Sequence, residues 1–210
     1  RIVDGYGEAD DVKFGLRFAE EALADHQDNP VILSMAGLAL GMLGFRLKGL
    51  RVLGFRYDEA QRAIDRALSL SPNLFVVRLA AGLVRAAVGE GDAAIAHFER
   101  AIRLSPLDPG MSALINSVGS AHLTCGRYED ALAAAQSAIE VDPKFASAHR
   151  LKAIALGFLG RSEEAKLAAQ RIVELVPDFT VSRYSSVSPV KDADLRKRCA
   201  DLLRAAGVPN

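Results

Sequence analysis

His122 and Cys125 stand three residues apart, a spacing that puts an imidazole and a thiol on one side of a helix, and both are metal-ligand types. A structural zinc site takes about four such ligands. The other histidines, His26, His97 and His149, and the second cysteine, Cys199, supply no further pair at ligand spacing. The pair therefore reads as packing, and no metal or cofactor is expected. The chain carries no phosphate loop, no G-x-S-x-G, no H-E-x-x-H and no dinucleotide fingerprint behind a strand. Two acidic doublets, Glu129-Asp130 and Glu163-Glu164, could in principle do acid–base work, which needs a desolvated cleft to drive two carboxyl pKa values apart. They fall where helices begin, and negative charge there offsets the backbone dipole by about 0.3–1 kcal/mol each. No catalytic residue is expected in this chain.

The remaining polar features are basic. Phe45-Arg-Leu-Lys-Gly-Leu-Arg-Val-Leu-Gly-Phe-Arg56 holds four cations and no acid. It could meet an acidic partner, a membrane surface, a neighbouring domain or a second copy of the chain. The preferred reading buries Leu47, Leu50, Leu53 and Phe55 and leaves Arg46, Lys48 and Arg51 in water. Lys191, Arg196, Lys197 and Arg198 form a second cluster, read as a solvated helix face.

Composition narrows the class. Over 210 residues, 26 basic side chains balance 26 acidic ones, which argues against a dedicated nucleic-acid binder, and the half that are apolar argue against disorder. No apolar run reaches the ~18 residues that cross a bilayer, and the start lacks a signal-peptide layout. A cytoplasmic protein is expected. Two cysteines are too few for a disulfide scaffold. The chain opens at Arg1 without methionine, so it is expected to be part of a longer polypeptide.

The elements behind these residues repeat. Tyr57-Asp-Glu-Ala60, Ile64, Ala67 and Pro72 are answered about 34 residues on by Gly91-Asp-Ala-Ala94, Phe98, Ala101 and Pro106. Gly126, Tyr128, Ala131, Ala138 and Pro143 are answered by Gly160, Ser162, Ala165, Ile172 and Pro177 at the same offset, and Leu107-Asp108-Pro109 lengthens the step between the two sets. Each unit reads as two amphipathic helices. Ala131, Ala134, Ala135, Ala138 and Ile139 make one apolar stripe of helical period. Gly126 and Gly160 are placed to end first helices, and Pro143 and Pro177 to stop second ones. No β-type alternation of useful length occurs, so an all-α fold is predicted.

These positions resemble the tetratricopeptide repeat: Gly82, Ala94, Phe98 and Pro106 in one unit, Gly119, Ala131, Ala135 and Pro143 in the next. The family's initial tryptophan is absent, and Ala135 and Ala169 replace its large aromatic residue. The resemblance implies an α-solenoid, a superhelix of antiparallel helix pairs closed by a C-terminal capping helix. Residues 1–30 form an incomplete opening unit with a helix over 11–27. Residues 31–177 hold the repeats: 31–72 with the insertion at 45–56, then 75–108, 112–145 and 146–177. Residues 178–210 form the cap, with a short apolar turn over 179–184 and a helix from about Asp192 to Ala206.

A narrower likeness lies in Gly89-Glu-Gly-Asp-Ala-Ala-Ile-Ala-His-Phe-Glu-Arg-Ala-Ile-Arg-Leu-Ser-Pro-Leu-Asp-Pro109, in Gly126-Arg-Tyr-Glu-Asp-Ala131 and in Leu202-Leu-Arg-Ala-Ala-Gly-Val-Pro209. These are similar to the C-terminal repeat region of bacterial, rhizobial-type class III adenylate cyclase family proteins and of related winged-helix regulators. The resemblance implies a catalytic or DNA-binding domain ahead of this region, in a signalling protein, with the region itself noncatalytic.

Stacked pairs present their first helices on an inner face suited to a peptide or helix. Repeat register puts Val31, Ser34 and Leu38 there, then Val76, Leu79 and Leu83, then Asn116 and Ser120, then Ser147, Arg150 and Ile154. The expected partner is a protein or peptide, or the parent's own N-terminal domain, with no nucleic acid and no membrane span; a homodimer through 45–56 is a further expectation. Only Asn116 and Arg150 resemble the polar residues with which some tetratricopeptide modules clamp a terminal carboxylate, so no such clamp is predicted.

Overall fold

The computed structural model describes residues 9–46, 57–188, 190 and 192–210, and among them every regular element is a helix. Contacts divide the chain into two units, Arg1–Val88 and Gly89–Asn210. The division falls between the two helices that the sequence pairs over 75–108.

The first unit holds α1 (Ala9–Asp25), α2 (Pro30–Arg46), α3 (Tyr57–Leu70) and α4 (Phe75–Val88). Asn29 starts α2: its Oδ1 accepts from the N–H groups of Val31 and Ile32 at 3.0 and 3.2 Å, and Pro30 follows where a helix does not need the missing donor. α2 packs on α1, α3 and α4. Ala36, Leu40, Ala60, Ile64, Ala80, Ala81 and Val84 close over one another in its core. The opening helix anticipated over 11–27 is α1. Of the basic insertion, residues 45 and 46 end α2, and 47–56 lie outside the described residues.

The second unit holds α5 (Gly91–Leu104), α6 (Met111–Thr124), α7 (Tyr128–Val141), α8 (Ala146–Phe158), α9 (Ser162–Leu175), α10 (Val181–Val187) and α11 (Ala193–Ala205). α6 pairs with α7 and α8 with α9, while α5 packs on α6 and α7 on α8. The apolar stripes of the second helices are buried: Ala94, Phe98 and Ala101 in α5, Ala131, Ala135 and Ala138 in α7, Ala165, Ala169 and Ile172 in α9. Small residues on these stripes let helices approach closely. A Cβ added at Gly119 of α6 would stand 2.9 Å from the Ala134 Cβ and 2.6 Å from Leu151 Cδ2.

The first helices of both later pairs end alike. Gly126 and Gly160 take φ of +75° and +74°, and the following amides, Arg127 and Arg161, reach back to the His122 and Leu156 carbonyls at 3.0 and 2.9 Å. Only a left-handed residue closes that loop, which is why glycine stands there.

Beyond Pro177 the structure differs from the expected apolar turn. Thr180 Oγ1 accepts from the Arg183 N–H at 3.1 Å, and α10 follows as a two-turn helix. Ser188 leaves helical geometry at φ −65°, ψ +126°, the conformation favoured before a proline. Asp192 caps α11 through Oδ1, which accepts from the amides of Asp194 and Leu195. α11 packs chiefly on α8 and α10. The chain then turns at Gly207, and the Pro209 carbonyl accepts from the Val181 N–H at 2.7 Å, tying the tail to the start of α10.

Candidate functional site

The face presented by first helices is built differently in each unit. In the first, α2 and α4 supply apolar side chains. Val31 is 43% exposed, and Val76, Leu79 and Leu83 are half-buried. Val76 leans on the cluster of Leu33, Ala67 and Val77, and Leu38 on that of Leu40 and Ile64. Ser34 departs from expectation: it is fully buried, and its hydroxyl donates to the Val31 carbonyl at 2.9 Å. A short hydroxyl side chain on a helix is easily satisfied by the preceding turn, so Ser34 is not offered to a partner. Met35, which register did not single out, is 49% exposed beside Val31 on α2.

In the second unit the face is polar. Asn116 and Ser120 are half-buried on α6, and the Ser120 hydroxyl donates to the Asn116 carbonyl at 2.9 Å. The Asn116 Oδ1 is buried and makes no hydrogen bond among the described residues, a cost of about 1–3 kcal/mol. On α8, Ser147 Oγ accepts from Arg150 Nη2 at 3.3 Å.

Arg150 is not a freely solvated groove residue. Its guanidinium lies 5.9 Å from the centre of the Phe179 ring and 5.8 Å from that of Tyr184, and desolvation pulls its pKa below the usual arginine value, with Tyr184 opposing. Ile154 is a correction. It is only 4% exposed and belongs to the core cluster that includes Phe179, Val181, Tyr184, Cys199 and Leu203, so the cap closes over it.

The same cap holds the end of α8. Phe158 stacks on Tyr128 of α7, centroids 4.2 Å apart and planes at 1°, while the Arg198 guanidinium of α11 stands 4.8 Å from its centre. Leu202 of α11 presses on Gly157 so closely that an added Cβ would lie 2.9 Å from its Cδ2. Sequence reasoning did not single out Phe158, Phe179 or Tyr184; it used Tyr128 only as a repeat position and placed Arg198 on a solvated helix face, where it is exposed. One signal could have found Tyr184: Asn116, Arg150 and Tyr184 follow one another at the 34-residue step, so α10 is a shortened first helix in the same register.

His149 is buried, and its Nε2 lies 3.0 Å from the Pro143 carbonyl, to which it donates. His122 Nδ1 faces Asp130 Oδ2 at 3.8 Å, too far for a hydrogen bond. Cys125 is exposed and Cys199 buried. Burial pushes the Cys199 thiol up to about 11. Glu164 takes two 2.7 Å hydrogen bonds from the Arg161 guanidinium, which lower its pKa while burial opposes them, so this doublet serves the helix start. Among the described residues no three potential metal ligands cluster, and no helix is long and apolar enough to cross a membrane.

A tetratricopeptide repeat family model matches residues 56–110 and 119–178, more than half of the chain. The chain belongs to the tetratricopeptide repeat family. Its fold is the repeat's all-α solenoid architecture, with α11 as the C-terminal capping helix. Solved tetratricopeptide structures share that fold. MamA from Desulfovibrio magneticus RS-1, from residue 41 to its end, is 22% identical with a TM-score of 0.58, over 79% of this chain and 84% of that one. MamA AMB-1 is 22% identical with a TM-score of 0.60, over 81% and 93%. YrrB, described as a tetratricopeptide protein with an unusual peptide-binding site, is 17% identical with a TM-score of 0.54, over 90% of each chain. No curated protein matches.

Proposed function

We propose that this tetratricopeptide chain is a noncatalytic protein-interaction module of the cytosol. Within each unit the first helices receive a peptide or helix: α2 and α4 of the first unit an apolar segment, α6 and α8 of the second a polar one. The observation that carries this reading is the contrast between helix types. Second-helix stripes are sealed in the core, whereas Val31, Val76, Leu79, Leu83, Asn116, Ser120 and Ser147 keep accessible surface on first helices. Surface of that kind is available for a partner's side chains, and the unsatisfied Asn116 amide oxygen favours turning toward an incoming backbone N–H. YrrB, with its peptide-binding site, supplies a precedent for the fold.

The test is capture of partners from a lysate by the intact chain and by Leu79→Asp, Leu83→Asp and Asn116→Ala variants. Gln170→Ala, on the exposed side of α9, serves as control. Loss of the same partners in the first-helix variants, with unchanged circular dichroism and an unaffected control, supports the reading. Retention of every partner by all three contradicts it.

The residues of 89–109 favour one setting for the module, the C-terminal part of a class III adenylate cyclase-like or winged-helix signalling protein. In that setting, occupancy of the first-helix face would be transmitted to the preceding domain. Reading the residues encoded upstream of Arg1 and assaying the longer chain for cyclic AMP formation tests this. An unrelated domain there, with no cyclase activity, would remove the setting and leave the interaction role intact.

A further inference from the structure

The first unit carries a cleft that is separate from the first-helix face. α1 and α3 pack on α2 rather than on one another, and the space between them is a cleft of about 510 Å³, within the size range of ligand sites. Its floor is apolar: Leu33 and Ala63 are buried and Leu23 half-buried. Its rim is basic. Arg62 and Arg66 stand on adjoining turns of α3, against one acid, Glu59, among the described lining residues. Arg62 is exposed and, among the described residues, makes no hydrogen bond or ion pair. Arg66 meets Asp28 at 2.6 Å, but both side chains are exposed, and such a pair contributes little and exchanges readily for another carboxylate.

The second unit carries a projection of matching chemistry. Leu107, in the loop between α5 and α6, is 93% exposed. It follows Pro106, whereas the residues after the corresponding prolines are polar: Asn73, Lys144 and Asp178. Beside it, Asp108 accepts from the Gly110 N–H at 2.8 Å through Oδ1, which holds the loop, while Oδ2 has no partner among the described residues. A single exposed leucine is ordinary. A leucine next to a carboxylate is what an apolar floor under two arginines accepts.

We propose that the cleft between α1 and α3 receives the Leu107–Asp108 loop of a second copy of this chain, joining copies head to tail. Leu107 enters over Leu33 and Ala63, and the Asp108 carboxylate meets Arg62, with Arg66 exchanging Asp28 for it. Nothing long-range opposes the approach, because the chain has a formal net charge of zero. The contact joins two different surfaces, so each added copy leaves one cleft and one loop open, and association continues beyond a dimer. One leucine and one acid make a small interface, which sets the dissociation constant on the order of 0.1–1 mM. The proposal goes beyond the interaction role of the first helices and does not depend on it.

The test is sedimentation equilibrium of the full chain from ~20 µM to ~1 mM, alone and as two variants. Leu107→Ser removes the plug and keeps the cleft. Arg62→Glu spoils the cleft and keeps the plug. Both positions are exposed, and circular dichroism confirms that each variant folds; where Arg62→Glu does not, Arg62→Gln replaces it. The intact chain is expected to rise steadily in mass with concentration, and each variant to associate about 5-fold or more weakly. An equimolar mixture of the two variants restores one sound contact, the loop of Arg62→Glu in the cleft of Leu107→Ser, so its mass should recover but stop at that of a dimer. A monomer mass for the intact chain at every concentration overturns the proposal. Association that survives both substitutions overturns it in favour of another surface, such as residues 45–56. Association lost in each variant and not recovered on mixing also overturns it, because a head-to-tail contact must be complemented in that way. None of these outcomes bears on partner capture by the first helices.

Discussion

Gly119→Ala measures how closely the helix pairs are stacked. The new methyl carbon would sit 2.6 Å from Leu151 Cδ2, 2.9 Å from the Ala134 Cβ and 3.3 Å from the Ala131 carbonyl oxygen. Leu151 is 5% exposed and has nowhere to swing, and the Ala134 Cβ moves only with the α7 backbone. Restoring ordinary carbon contact near 3.6 Å therefore displaces α7 or α8 by roughly 0.7–1 Å. Two contacts below 3 Å place the strain in the upper part of the overpacking range, about 2–3 kcal/mol, and alanine's better helix propensity returns about 1 kcal/mol. A net loss of about 1–2 kcal/mol follows. Gly41→Ala is the internal contrast, because its nearest neighbours would be Val84 Cγ2 at 3.5 Å and the Ala60 Cβ at 3.8 Å, ordinary contacts; it should gain roughly 0.5–1 kcal/mol. Urea unfolding followed at 222 nm, with a slope of about 1–3 kcal/mol/M, should show the midpoint falling by roughly 0.5–1 M in the first variant and rising in the second. Hydrogen exchange in α6 and α2 locates each change. If Gly119→Ala raises the midpoint as Gly41→Ala does, the inferred spacing of α6, α7 and α8 is wrong.

Phe98, 1% exposed in α5, should lose about 3–5 kcal/mol on replacement by alanine, read as a fall in melting temperature on the order of 10 °C. Asn29→Ala removes the acceptor for two amides at the start of α2 and should cost about 1 kcal/mol in chemical unfolding, most of it restored by Asn29→Asp. Burial holds the Cys199 proton in the folded chain up to about 11, above the thiol's ordinary value, so between these values the unfolded chain binds fewer protons than the folded one. The stabilisation is complete below the ordinary thiol range and is lost as pH rises toward 11. Melting temperature should fall with pH over that window, and less steeply in Cys199→Ala. A thiol reagent at pH 8 should label Cys125 readily and Cys199 only on unfolding, and equal labelling rates would contradict the packing of the cap.

The repeat was legible because its physics is local. Glycine at Gly126 and Gly160, proline after α7 and α9, and alanines at helical spacing each act within a few residues, and the structure places them as ends and buried stripes. The anticipated helix from about Asp192 to Ala206 likewise begins and ends within a residue of α11, because Asp192 is a cap wherever the rest of the chain goes. Register assigns first-helix residues to one face by spacing alone, and it carries no information about what lies over them. Ile154 and Leu83 hold comparable positions in their repeats, yet Ile154 is buried in the cluster that includes Val181, Tyr184 and Leu203, more than 25 residues further along. Arg150 meets Phe179 and Tyr184 for the same reason. Ser34 shows a second limit, since a hydroxyl satisfied within its own helix turn looks identical in sequence to one awaiting a ligand.

The most direct test of the interaction account is hydrogen exchange on the full chain with and without a captured partner. Slowed exchange concentrated in α2, α4, α6 and the first turns of α8, with α3, α5, α7 and α9 unchanged, is the predicted result. Protection confined to those second helices would contradict it.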